Sequence, residues 1–112
     1  MNATILADLG APLIALRVLS VDYPLLPAPC ISLSTVYPER LELSFHDDFG
    51  AFEAWREALG IDPLNVVHRV HRDGRTCVLG VHVDYAGAEL HLIGFGTVPL
   101  VEGARSRVEV PA

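Results

Sequence analysis

The stretch that decides the fold is "TCVLGVHVDYAGAELHLIGF", residues 76–95, two apolar-rich runs on either side of Ala86-Gly87. In both runs apolar and polar side chains alternate at the period of two that sends neighbours to opposite faces of a strand. A two-residue link containing glycine between such runs predicts a β-hairpin. Centring the turn on Ala86 and Gly87 places Val83 opposite Leu90 on one face. On the other face Asp84 meets Glu89 and His82 meets His91.

Working upstream, "NVVHRVHR" (65–72) predicts a further strand, joined to the first run through Asp73-Gly74, a strong hairpin signal. The core side then carries Val66 against Val81, His68 against Leu79 and Val70 against Cys77. The opposite side carries Arg69 against Val78 and His71 against Thr76. Before it, "HDDFGAFEAWREALGIDP" (46–63) predicts a helix over about 48–59. Asp47 or Asp48 can cap its start, Gly60 can take the left-handed terminal conformation, and Pro63 prevents continuation. Phe49, Phe52, Trp55 and Leu59 recur at helical spacing and form the side that packs on a sheet, with Glu53, Arg56 and Glu57 outside.

"CISLSTV" and "RLELSF" alternate as two more half-buried strands, with "VYPER" as their hairpin loop. "DYPLLPAPC" holds three prolines in six residues, which forbid a helix and favour an extended connector over about 23–30. The segment before it, 1–22, is apolar on more than one side and reads as one kinked helix or two short ones. Asp8, Arg17 and the Gly10-Ala11-Pro12 break argue against a membrane or export segment. The expected fold is thus α+β, in the order α-β-β-α-β-β-β. A mainly antiparallel sheet is packed by the helix at 48–59, within a single domain over 1–112 whose last residues, 103–112, form a loose tail or, through the weak alternation of "SRVEV", add an edge strand.

With 14 acids against 8 arginines and no lysine, the formal charge is -6, which opposes attraction to a phosphate backbone. The missing lysine excludes Schiff-base, P-loop lysine and Ser-Lys chemistry. Two widely separated cysteines, Cys30 and Cys77, fit a reduced cytoplasmic setting better than a disulfide framework. None of the sequence motifs of nucleotide binding, zinc hydrolysis or serine hydrolysis occurs, so no enzyme class gains support.

Four polar residues invite a chemical reading: His82, Asp84, Glu89 and His91. Two histidines and a carboxylate can form a metal shell, but the group lies opposite the core side and two acids face each other. A wet sheet face is the simpler reading, and neither a metal nor a cofactor is expected. Cys77 and His68 resemble a thiol-imidazole dyad in outline, and "HDD" (46–48) a helix-start metal site. Arg69, Arg72 and Arg75 outline an anion clamp. Burial, capping and solvation account for the same letters.

Over about residues 28–95, the stretches "FHDDFGAFEAWREALGIDP" and "DGRTCVLG" resemble small uncharacterised proteins of GC-rich actinobacteria. That resemblance implies an intracellular bacterial setting and carries no catalytic residues.

Val67, Val78, Ile93 and Phe95 fall on the same side as His82 and His91, around Gly80. Four apolar side chains on a nominally wet face, with a first helix apolar on several sides (Leu16 among them), leave one surface for another molecule. The functional expectation is a small protein-interaction or regulatory module that pairs with itself as a homodimer or docks another protein. Direct nucleic-acid or membrane binding is not expected. The alternatives are a small enzyme using the outer-face histidines and an acidic nucleic-acid mimic or inhibitor.

Overall fold

A computed structural model describes residues 4–72 and 74–97. The expected 103–112 tail lies outside the described residues. Two α-helices and five strands follow the order α-β-β-α-β-β-β: α1 (Gly10–Asp22), β1 (Cys30–Leu33), β2 (Arg40–His46), α2 (Phe49–Ala58), β3 (Val67–Val70), β4 (Thr76–Tyr85) and β5 (Ala88–Thr97). The fold is α+β.

The hairpin of β4 and β5 forms in the register that its turn dictates, with Val83 opposite Leu90, Asp84 opposite Glu89 and His82 opposite His91. Ala86 and Gly87 both take positive φ, 50° and 85°, the backbone of a turn whose twist matches that of the strands. β3 pairs with β4 as expected, Val70 against Cys77 and His68 against Leu79. Its tip is broader than two residues, since the Gly74 N–H donates to the His71 carbonyl (2.9 Å). β3 is also shorter than its alternation suggests, and Val66 precedes it while still packing against the core.

The sheet order is β1-β2-β5-β4-β3. β5, last of the strands in the chain, enters the centre of the sheet antiparallel to β4 and parallel to β2. The sheet is therefore mixed, antiparallel at three of its four pairings.

Leu41, Leu43 and Phe45 of β2 and Leu90 and Leu92 of β5 are buried on one face, beneath Ala51, Phe52 and Trp55 of α2 and Ala15 and Leu19 of α1. Phe45 meets Phe52 edge-on at 6.4 Å, a favoured aromatic arrangement. α2 starts at Asp48, whose carboxylate accepts the Ala51 N–H (2.9 Å), and stops at Gly60 with φ 68°. Beyond Gly60, the Ile61 N–H returns to the Arg56 carbonyl. The proline-rich connector is pinned by the Trp55 indole N–H, which donates to the Pro27 carbonyl (2.7 Å).

Residues Leu6–Leu9 form a 3-10 turn that runs into α1 at Gly10. Pro12 thus sits in the first turn of α1, where its missing N–H breaks no helical bond. α1 lies on the same side of the sheet as α2: Ala15 and Leu19 are buried in the shared core, and Leu16 packs against it. Among the described residues no helix is long and apolar enough to cross a membrane.

Candidate functional site

Among the described residues both helices lie on one side, and no element covers the opposite face of the sheet. Strand pairing arranges that face in rows across β3, β4, β5 and β2. One row holds Asp84, Glu89 and Arg40, and the next holds His82, His91 and Glu42. Val67, Gly80, Ile93 and Ser44 follow, then Arg69, Val78, Phe95 and His46. The four apolar residues Val67, Val78, Ile93 and Phe95 are therefore brought together. Leu16 is separated from them by the thickness of the sheet.

The apolar rows line a concavity of about 620 Å³ bordered by Arg69, His71 and Arg72 at one end and by His82 and His91 at the other. Gly80 helps to form it, because the position has no side chain: a Cβ there would lie 3.7 Å from His91 Nε2. Val67 is 60% exposed, and Val70, which also borders the concavity, is 59% exposed.

His82 and His91 stack face to face, 3.9 Å between ring centroids and 12° apart in plane. His82 Nδ1 lies 3.1 Å from Glu89 Oε2. Arg40 donates to the other Glu89 oxygen at 3.4 Å, with its guanidinium 4.4 Å over the Tyr37 ring. His91 is more enclosed. Its Nδ1 is shielded, makes no hydrogen bond among the described residues and stands 4.0 Å from Glu42 Oε1, too far for one. Burial holds the His91 pKa below the ordinary histidine value, and the adjacent His82 acts in the same direction.

This cluster is not assembled as a metal centre: among the described residues no group of three or more His, Cys, Asp or Glu side chains converges to hold an ion. "HDD" diverges likewise. His46 stacks on Phe95 at 4.9 Å, the Asp47 N–H donates to the Phe95 carbonyl, and Asp48 caps α2. His68 is exposed and Cys77 half-buried on the helix-bearing side, without a hydrogen bond between them.

Sequence reasoning missed His46 and Glu42 as neighbours of Phe95 and His91 on this face. The alternation of β2 assigns Glu42 and Ser44 to the wet side, but only the parallel pairing with β5 brings Glu42 beside His91 and His46 onto Phe95. No family model, curated protein or solved structure matches the chain.

Proposed function

We propose that this chain is a small protein-docking module that pairs with a second copy of itself through the outer face of its sheet. One observation carries the reading: both helices pack on the same side, leaving Val67, Val78, Ile93 and Phe95 grouped around a glycine notch on the other. A contiguous apolar patch of this kind loses free energy in water and is the usual mark of a contact surface. The area is adequate. Five strands about 4.8 Å apart with central strands of about 33 Å give a face on the order of 600 Å², near the roughly 800 Å² per partner of a standard interface.

A second copy suits the face better than a nucleic-acid-binding protein engaged by mimicry. The acids divide between the outer side of α2 (Glu53, Glu57) and the outer sheet face (Glu42, Asp84, Glu89), so they form no single phosphate-like track. The free cysteines support a reducing, cytoplasmic setting.

Light scattering of wild type, Phe95→Glu and Ile14→Glu tests the reading. Ile14 is 60% exposed on α1, the other apolar surface of the molecule. Phe95→Glu alone should reduce the dimer to a monomer, because it places a carboxylate within the apolar rows. Loss of the dimer only with Ile14→Glu would move the contact to α1 and overturn the proposal.

A further inference from the structure

The sequence outlines an anion clamp in Arg69, Arg72 and Arg75 that the docking role does not use. Arg69 and Arg72 border one end of the outer-face concavity, beside His71, and Arg75 does not line it. Both are exposed, and among the described residues neither makes an ion pair. In a chain of net charge -6, two guanidinium groups at one end of an apolar concavity are a local reversal of sign.

From that end the floor runs over Val78 and Phe95, then over Ile93 beside the Gly80 notch, and stops at the stacked rings of His82 and His91. Phe95 and His91 are four residues apart on β5, so at about 3.3 Å per residue the floor is roughly 13 Å long. The volume of about 620 Å³ lies within the roughly 300–1,000 Å³ of small-molecule sites. A cationic end and a long apolar floor match a molecule with one anionic head and one apolar chain. A guanidinium holds a carboxylate through paired, charge-assisted hydrogen bonds, and the chain gains by leaving water for apolar side chains. Beyond the histidines lie Glu42, Asp84 and Glu89. These acids repel an anionic membrane surface laid on this face, which favours a free acid over a lipid headgroup.

We propose that this concavity binds a free apolar carboxylate of medium chain length, with its head at Arg69 and Arg72 and its chain along the floor of Phe95 and Ile93. The extended length of decanoate is close to that of the floor. The bound chain covers Val78, Ile93 and Phe95, the side chains through which a second copy docks. Resting on the docking role above, the acid therefore displaces the second copy, and the face reports the presence of a ligand as a change in assembly.

Titration calorimetry with decanoate tests the site, on wild type and on the double variant Arg69→Gln, Arg72→Gln, with decylammonium as the cationic counterpart of the probe. Both substituted positions are exposed, so the fold is retained. Saturable binding of one decanoate per chain is expected, weakened about tenfold or more in the double variant, with decylammonium much weaker than decanoate. Absence of decanoate binding would overturn the site. So would equal binding by the double variant or of decylammonium, because the alkyl chain alone is then held, as on the exposed Leu13 and Ile14 of α1. Sedimentation separates this proposal from the docking role. Saturating decanoate should return the wild-type dimer to single chains, and a dimer that persists with decanoate bound would overturn the displacement. A wild type that is monomeric without decanoate would overturn the docking role and the displacement with it, and calorimetry then decides the acid site by itself.

Discussion

His91 is the residue at which the outer face is least tolerant of charge. Its ring lies between the stacked His82 ring and the glycine notch, with Nδ1 enclosed, and its pKa is lowered mainly by burial. A histidine held neutral in the folded state takes a proton more readily when unfolded. Stability is therefore complete above the unfolded value near 6.5 and is lost as pH falls below it. Urea midpoints should fall between about pH 7.5 and 5.5 in wild type and fall less in His91→Gln; equal declines would contradict the assignment. The pairing of His82 with His91 was legible in the sequence, since period two and a centred turn determine it. The approach of Glu42 to within 4.0 Å of His91 Nδ1 was not, because Glu42 belongs to a strand whose neighbour the alternation does not name. Trp55 is likewise half legible: its place on the packing side follows from helical spacing, but its bond to the Pro27 carbonyl does not. Trp55→Ala should cost about 3–5 kcal/mol by emptying a large core site. Trp55→Phe should cost about 1 kcal/mol from the lost hydrogen bond, plus a smaller packing loss. Chemical denaturation reads both, and a cost under about 1 kcal/mol for the alanine variant would mean that α2 does not pack as described.

Among the elements, α2 was the most legible, because its start at Asp48 and its stop at Gly60 each have a local chemical cause. β5 was the least. Its glycines at 94 and 96 lower the strand propensity of the sequence, yet they lie on the inner face where the ring of Phe49 and the side chain of Phe52 rest. A Cβ at Gly96 would stand 2.5 Å from Phe49 ring atoms, against 3.3 Å for the tightest contact at Gly94. Gly96→Ala should therefore destabilise by about 1–3 kcal/mol through overpacking. In a Phe49→Ala background the same change should cost a few tenths at most, which a double-mutant cycle measures. An equal cost in both backgrounds would place the defect in the β5 backbone instead. The parallel pairing of β2 with β5 was hidden for a related reason: alternation tells which face a side chain takes and nothing of which strand lies alongside.

For the whole molecule, the decisive fact is where α1 packs. Its sequence is apolar on several sides, so it could have covered either face of the sheet. Burial of Pro12, Ala15 and Leu19 beside α2 assigns it to the core side and leaves Leu13, Ile14 and Val21 exposed. The fold class and the order of elements along the chain could be read from turns and periodicity, but this layer choice is a competition between two apolar surfaces that local patterns do not settle. The face that the described residues leave open, with its apolar rows, follows from that choice and is the basis for the docking role. The net charge of -6 on each copy opposes association at long range, so the contact has to come from the face itself. Sedimentation equilibrium of the wild type at neutral pH and moderate salt, from about 1 μM to 1 mM, measures this directly. The mass should rise with concentration from that of one chain, 12.1 kDa, to twice that value and stop there. A mass that stays at one chain throughout the range would contradict self-association through the outer face.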